Sequence, residues 1–238
     1  MLNKNWSEPE RWQKRTSMDM PRPRVFPSLC DWLDPEVPAE WLARFLQLIH
    51  DTPSLNWLLL TKRPELWAER MRACIALAVA SIPALEWFNG GPPPNVFMGV
   101  SVEDQARANE RIPLLLEIPA VMRWLSVEPL LGPVDFRAVP GFNRSGSAGV
   151  EILRSFWVVV GGESGKEARE CHAGWIRRVV EQCRGSKVPV FVKQIGSNPV
   201  DDLENAVRWG KVRDPKGGDP LEWPFELRVR ELPALLTQ

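Results

Sequence analysis

The sequence predicts an α/β fold of the barrel type, in which parallel strands alternate with helices. Six apolar, strand-like segments lie roughly 27 to 39 residues apart, a spacing that fits successive strand–helix units. They centre near Phe26, Leu59, Met98, Leu125, Val159 and Phe191. Polar residues follow each segment, as expected where parallel strands end at a ligand-binding edge. No Gly-x-Gly-x-x-Gly pattern follows the first strand, which disfavours a doubly wound sheet.

The clearest strand ends in the sequence Gly161-Gly162-Glu163. The residues from Trp157 to Val160 are apolar at every position, so both faces of this strand are expected to be buried beneath helices. The two glycines allow the backbone to turn sharply and to approach a ligand closely. Glu163 would then stand at the carboxyl end of the strand, where α/β proteins place ligands and catalytic groups.

The remaining elements follow from apolar periodicity and from breaks at glycine and proline. Residues 1–24 are expected to form an extended N-terminal arm, residues 25–197 the barrel domain, and residues 198–238 a tail docked on the barrel. The first strand is predicted from Val25 to Asp31, although Pro27 cannot donate to a ladder. Helices are expected after residues 35, 64, 106 and 167, whereas 81–95 is expected to be a loop and 138–150 a surface insertion.

The amino-acid composition limits which cellular compartment and which classes of partner are expected. The 238 residues are 44% hydrophobic and 25% charged, which suits one large domain. Lys+Arg 30 balances Asp+Glu 30, so net charge does not steer the chain towards nucleic acid or membrane. No apolar run approaches the roughly 20 residues that span a bilayer, and the N-terminus is too polar for a signal peptide. We therefore expect a cytoplasmic protein with no membrane partner.

The polar residues at the strand ends predict a site at the mouth of the barrel. They are Asp31, Thr61, Lys62, Arg63, Ser101, Glu103, Ser126, Glu128, Glu163, Lys193 and Gln194. The cations can hold a carboxylate or a phosphate, and the carboxylates can bind an amine or a metal, or move protons. The alternative is a solvated ring of salt bridges that merely closes the barrel.

Six segments resemble a single protein family and come in that family's order. They are Leu60–Pro64, Gly99–Glu103, Leu125–Gly132, Val160–Gly165, Phe191–Gly196 and Asp214–Pro220. On these segments the chain resembles the bacteriophage gene product thirty-seven/sixty-eight family, found in phages and bacterial genomes. That family is similar to radical S-adenosylmethionine (SAM) enzymes. The resemblance implies a βα barrel, either TIM-like or partial, SAM as a cofactor, and a [4Fe–4S] cluster held by a Cys-x-x-x-Cys-x-x-Cys loop.

The chain departs from this pattern because it has no such cysteine loop. Cys30 falls in the segment that resembles the family's second strand, so the first strand and the cluster ligands are expected to be missing. By strand position, the resemblance implies that Glu163 and the Gly161-Gly162 backbone contact the amino and carboxylate groups of SAM. The implied cofactor-binding set is completed by Ser101 and Ser164.

Three functional hypotheses remain open. The first is a phage- or prophage-derived, radical-SAM-like protein that is inactive without its cluster. The second is a non-catalytic module that binds nucleic acid or a partner protein encoded nearby, with Lys62, Arg63, Lys166 and Arg169 as basic contacts. The third is a cluster-free lyase or isomerase. Its catalytic residues would be Glu103, Glu128 and Lys193, and its substrate-binding residues Asp31, Thr61, Lys62, Arg63 and Gln194.

Overall fold

A computed structural model of the chain describes residues 2–17, 20–28, 30–77, 82–140, 156–201 and 212–237. The chain divides into two compact units. The first unit comprises Met1–Val100, Leu114–Arg123 and Ala234–Gln238, and the second comprises Ser101–Pro113 and Trp124–Pro233. Most of the predicted surface insertion at 138–150 lies outside the described residues.

The main sheet has six parallel strands in the order β1-β2-β3-β4-β5-β7. They are β1 (Arg24–Val25), β2 (Asn56–Thr61), β3 (Val96–Ser101), β4 (Met122–Val127), β5 (Phe156–Gly161) and β7 (Val190–Gln194). The strands follow one another in chain order without the reversal that defines a doubly wound sheet. The α/β prediction is therefore confirmed, and the sheet is consistent with a partial barrel.

Described helices lie between consecutive strands from β1 to β4 and between β5 and β7, as is usual for crossovers between parallel strands. The described helices are α1 (Leu2–Arg15), α2 (Ala39–Asp51), α3 (Trp67–Ile75), α4 (Ile82–Phe88), α5 (Gln105–Glu117) and α6 (Ala173–Gly185). Two short strands, β6 (Cys171–His172) and β8 (Pro199–Val200), pair in parallel as a second sheet. Single turns of 3₁₀-helix cover Pro64–Leu66, Phe136–Ala138, Pro220–Glu222, Phe225–Leu227 and Ala234–Leu236. None of the described helices is both long and apolar enough to cross a membrane.

The central strands are buried on both faces, as their sequences predict. Every residue of β3 and of β5 is buried. Trp157 is buried on β5 and lies edge-on to the ring of Phe191 on β7, with 6.3 Å between the ring centroids. Burying a large apolar side chain contributes about 1.5–3 kcal/mol, so these runs stabilise the sheet and hold their polar ends in place.

The prediction of an extended N-terminal arm is wrong for residues 2–15, which form α1. Pro9 lies inside this helix, so α1 forms although one of its residues cannot donate a helical hydrogen bond. Trp6 packs edge-on against Phe45 of α2, with 6.4 Å between the ring centroids. This contact partly buries Trp6 against α2.

The loop predicted at 81–95 is also wrong in part, because Ile82–Phe88 forms α4. Pro83 falls in the first turn, where a missing backbone N–H breaks no helical hydrogen bond. Trp87 is buried and stacks on Trp32, with 5.7 Å between the ring centroids. Its indole N–H donates to the Pro119 carbonyl oxygen at 2.7 Å. Tertiary packing of one tryptophan thus outweighs the glycines and prolines that follow it.

The first predicted strand is shorter than expected. Only Arg24 and Val25 pair with β2, at Asn56 and Trp57. Pro27, which cannot donate to a ladder, comes two residues after Val25 and accounts for the early end.

Candidate functional site

Three carboxylates of the second unit follow the ends of β3, β4 and β5, and each pairs with a cation. Glu103 is buried, and its Oε2 accepts a hydrogen bond from Arg111 Nη1 at 2.9 Å. The same nitrogen donates to the Ser101 carbonyl oxygen at 2.9 Å. Arg111 lies on α5, so the helix after β3 holds the carboxylate that follows β3. This geometry gives Glu103 a fixed, charge-neutralised position.

The second pair joins the ends of β4 and β7 and is partly open to solvent. Lys193 Nζ lies 2.9 Å from Glu128 Oε1 and 3.0 Å from Oε2. Gln194 Nε2 donates to Glu128 Oε1 at 3.2 Å and to the Gly162 carbonyl oxygen at 3.0 Å. The Lys193 side chain is 50% exposed and that of Glu128 is 16% exposed. We call Glu128, Lys193 and Gln194 the carboxylate–amine site.

An irregularity in β7 explains how two consecutive residues reach one carboxylate. In a regular strand, successive side chains point to opposite faces. Here Val160 pairs with Val192 while Gly161 pairs with Gln194, so Lys193 is an extra residue in the register. Such bulges re-aim a side chain and are common beside functional sites. This Lys193 bulge is the local feature that assembles the carboxylate–amine site.

The Gly161-Gly162 pair has a packing role that the sequence does not reveal. A Cβ atom on Gly162 would lie 2.3 Å from the Ile195 carbonyl oxygen and 2.9 Å from Cys171 Cβ. A Cβ on Gly161 would lie 2.9 Å from the Gln194 carbonyl oxygen. The glycines therefore bring the end of β5 against the end of β7, and the space beside them is filled by protein.

The third carboxylate, Glu163, is clamped by Arg169. Arg169 Nε donates to Oε2 at 2.8 Å, Nη2 donates to Oε1 at 2.9 Å, and the Arg169 backbone N–H donates to Oε2 at 3.0 Å. These hydrogen bonds, the side-chain ones first, lower the pKa of the Glu163 carboxyl to about 2. Both carboxylate oxygens are thus already occupied by donors.

This clamp predicts a pH dependence. A lowered folded-state pKa means that the pair stabilises the folded protein above the ordinary value of 4.5, and that this contribution is lost as pH falls through 2. We expect the Glu163 carboxyl to titrate near pH 2, and nearer its ordinary value in Arg169→Gln. A carbon-13 NMR titration of both proteins measures this. Identical midpoints in the two proteins would contradict the clamp.

The first unit holds a separate cluster at the end of β2. Asp31 Oδ2 accepts hydrogen bonds from the Lys62 backbone N–H at 2.9 Å and from Arg63 Nη1 at 3.1 Å. Arg63 Nη2 lies 3.2 Å from Asp34 Oδ2. The buried Thr61 hydroxyl oxygen accepts from the Arg63 backbone N–H at 2.9 Å. The structure therefore brings the four predicted substrate-binding residues of this unit together, in a cluster that braces the turn after β2.

The comparison with protein families matches residues 1–219 to the model described as "Protein of unknown function (DUF5131)". The chain belongs to this family. No curated protein and no solved structure matches the chain.

For this DUF5131 protein, the predicted site residues fall into two groups by environment. Ser101 and Ser126 are buried beneath the strand ends, and Ser164 is exposed beyond Glu163. Sequence reasoning missed Arg111, the partner of Glu103, because an arginine on a helix gives no sign of where its side chain reaches. Its only sequence signal is its place on the helix that follows β3.

The cysteines of the DUF5131 protein do not suit an iron–sulfur cluster. Cys30 is exposed, while Cys74, Cys171 and Cys183 are buried. Burial raises the pKa of the Cys74 thiol to about 11 and that of the Cys171 and Cys183 thiols to about 12, which disfavours the thiolate that binds metal. Within the described ranges, no three His, Cys, Asp or Glu side chains are grouped to hold a metal ion.

One cavity of about 900 Å³ lies around Val158 of β5 and Val188 before β7, and its lining includes the Asp135–Arg137 ion pair but none of the three pairs described above. Val158 and Val188 belong to the amino-terminal part of the strands, whereas α/β proteins bind ligands at the carboxyl ends. The carboxylate–amine site of the DUF5131 chain, by contrast, lies at the carboxyl ends of β4 and β7.

Proposed function

We propose that this DUF5131 protein binds a small molecule carrying an ammonium group beside a carboxylate, with SAM as the first candidate. The observation that carries the proposal is the Glu128–Lys193 pair, in which a carboxylate and an amine from two strand ends meet at 2.9 Å. An ammonium on a ligand is the chemical equivalent of Lys193 for Glu128. A carboxylate on the same ligand is the equivalent of Glu128 for Lys193.

Exchange of partners is energetically accessible at this pair. Lys193 is half exposed, so water can solvate its ammonium when the pair separates, and ion pairs open to solvent contribute only about 0–1 kcal/mol. A ligand that supplies both charges leaves neither protein charge unpaired, which avoids the penalty of an uncompensated charge. Gln194, buried and bound to the Gly162 carbonyl oxygen, holds Glu128 in place during the exchange.

The other charged groups support this proposal less well. Arg111 binds Glu103, and Glu163 is held by three donors of Arg169, one of which is a backbone N–H that cannot move away with the side chain. A lyase or isomerase based on Glu103 would first have to release that carboxylate from its ion pair. A nucleic-acid module would have to free Arg63 and Arg169 from their carboxylates.

SAM supplies, when bound, an activated alkyl group on its sulfonium sulfur. The amine and carboxylate of SAM fit the donor and acceptor set of the carboxylate–amine site. A [4Fe–4S] cluster does not fit the cysteines in the described part of the chain, so the proposal contains no cluster-dependent step. We also propose that the protein is related to the phage family and to TIM-like radical SAM enzymes. The six parallel strands, which follow one another in chain order, support this relationship.

Calorimetric titration with SAM tests the proposal. We expect the wild-type protein to bind, and Glu128→Gln and Lys193→Met to raise Kd by about ten- to a hundredfold, because each removes charged hydrogen bonds. Glu110→Gln is the matched control. Glu110 forms an exposed pair with Arg107 on α5, with 2.8 Å between Oε2 and Nε, and its loss should leave Kd unchanged.

Two outcomes would contradict the proposal. Absence of SAM binding by the wild-type protein would exclude SAM as the ligand. Binding that survives Glu128→Gln but is lost in Glu163→Gln would move the ligand to Glu163, as the sequence resemblance implies.

A further inference from the structure

The C-terminal segment covers the outer edge of β7, the strand that carries Lys193. The Val192 backbone N–H donates to the Val229 carbonyl oxygen at 2.8 Å, and the Glu231 N–H donates to the Val190 carbonyl oxygen at 2.9 Å. Between them, Phe191 and Arg230 form an antiparallel bridge. Val229, Arg230 and Glu231 lie beyond 1–219, the part of the chain that the family model matches.

The side chain of Arg230 reaches the Lys193 bulge itself. Its Nη2 donates to the Lys193 carbonyl oxygen at 3.1 Å and to the Gly218 carbonyl oxygen at 3.1 Å, and Nε donates to the Val192 carbonyl oxygen at 3.3 Å. The guanidinium carbon lies 5.3 Å from the Phe191 ring centroid and 5.2 Å from that of Trp223. The two aromatic contacts restrict the guanidinium, and its planar fork suits several acceptors at once.

We infer that Arg230 is a positioning residue for the carboxylate–amine site. The register shift makes Lys193 the extra residue of β7, so ordinary pairing with β5 does not fix its conformation. Arg230 supplies the missing constraint by binding the carbonyl groups of Val192 and Lys193. It thereby aims Lys193 at Glu128.

A purely structural role and a positioning role make different predictions. If Arg230 only anchors the C-terminal segment, its loss lowers stability without altering the environment of the Lys193 amine. If Arg230 positions Lys193, its loss frees that amine from Glu128 even in a folded protein. The ligand role of the site rests on the proposed function, but the position of the amine does not.

Trace acetylation of lysines, quantified by peptide mass spectrometry without any ligand, tests the inference. We expect Arg230→Met to raise the Lys193 acetylation rate roughly two- to fivefold, the effect of losing one exposed ion pair, while Lys14 and Lys187 react as in wild type. Glu128→Gln should raise the Lys193 rate as well. Arg230→Lys keeps the charge but lacks the fork, so an intermediate rise is expected.

An unchanged Lys193 rate in folded Arg230→Met overturns the inference. Circular dichroism shows whether that variant folds, and if it does not, Arg230→Lys decides by the same criterion. SAM titration of the wild type separates the two proposals. If Arg230→Met raises Lys193 acetylation and the wild type does not bind SAM, the positioning role stands and SAM is rejected. If the wild type binds SAM and Lys193 acetylation is unchanged in Arg230→Met, SAM binding stands and the positioning role is rejected.

Discussion

Gly162→Ala is expected to destabilise the protein by about 1–3 kcal/mol or more, the cost of forcing an extra methyl group into a filled space. The added Cβ would lie 2.3 Å from the Ile195 carbonyl oxygen. That neighbour is a backbone atom, so relief requires the ends of β5 and β7 to move apart. Urea denaturation of the variant and the wild type measures the loss as a lower midpoint.

Gly132→Ala is the matched control for this prediction. Gly132 has no neighbouring heavy atom within 4 Å of its ideal Cβ position, so its substitution should leave the midpoint nearly unchanged. Equal stability of the two variants would contradict close packing at Gly162. If Gly162→Ala is as stable as the wild type but no longer binds ligand, the glycine pair would instead be a ligand-binding turn, as the sequence predicts.

Trp223→Ala is expected to have the largest effect in the C-terminal segment, about 3–5 kcal/mol, as for other buried tryptophans. Trp223 is 2% exposed, and its indole N–H donates to the Gly217 carbonyl oxygen at 3.0 Å. Its ring also faces the Arg230 guanidinium at 5.2 Å. Truncation therefore removes an apolar contact, a hydrogen bond and one of the two aromatic rings that contact the Arg230 guanidinium.

Phe225→Ala provides the comparison, two residues along the same segment. Phe225 is 84% exposed, so its truncation should change the denaturation midpoint very little. Similar losses in both variants would contradict this docking of the segment. We also expect Trp223→Ala, if it folds, to raise Lys193 acetylation because Arg230 loses its support.

The sequence predicted the features that depend on local apolar content. The run from Trp157 to Val160 fixes a doubly buried strand because each of its residues is apolar, and the structure confirms it. Other apolar runs predict where their strands end, and so place Glu128 and Lys193 at strand ends. Their convergence within the second unit could be expected because parallel strands end at one edge of a sheet.

The features that the sequence did not predict depend on contacts between distant residues. The Lys193 bulge depends on the register of β7 against β5. The neighbouring residues Val192 and Gln194 do not predict that register. Arg230 reaches the Lys193 carbonyl oxygen across a separation of 37 residues. The glycine pair suggested a ligand because the sequence does not show how closely Ile195 approaches Gly162.

Exchange of a ligand into the Glu128–Lys193 pair would give the Lys193 ammonium a new partner. The most direct measurement is an NMR titration of wild-type protein carrying nitrogen-15 in its lysine side chains, with SAM as the probe. We expect the Lys193 ammonium signal to shift and to saturate with the calorimetric Kd, while the Lys187 signal stays in place. SAM binding that leaves the Lys193 signal unmoved, or no binding at all, would contradict this exchange.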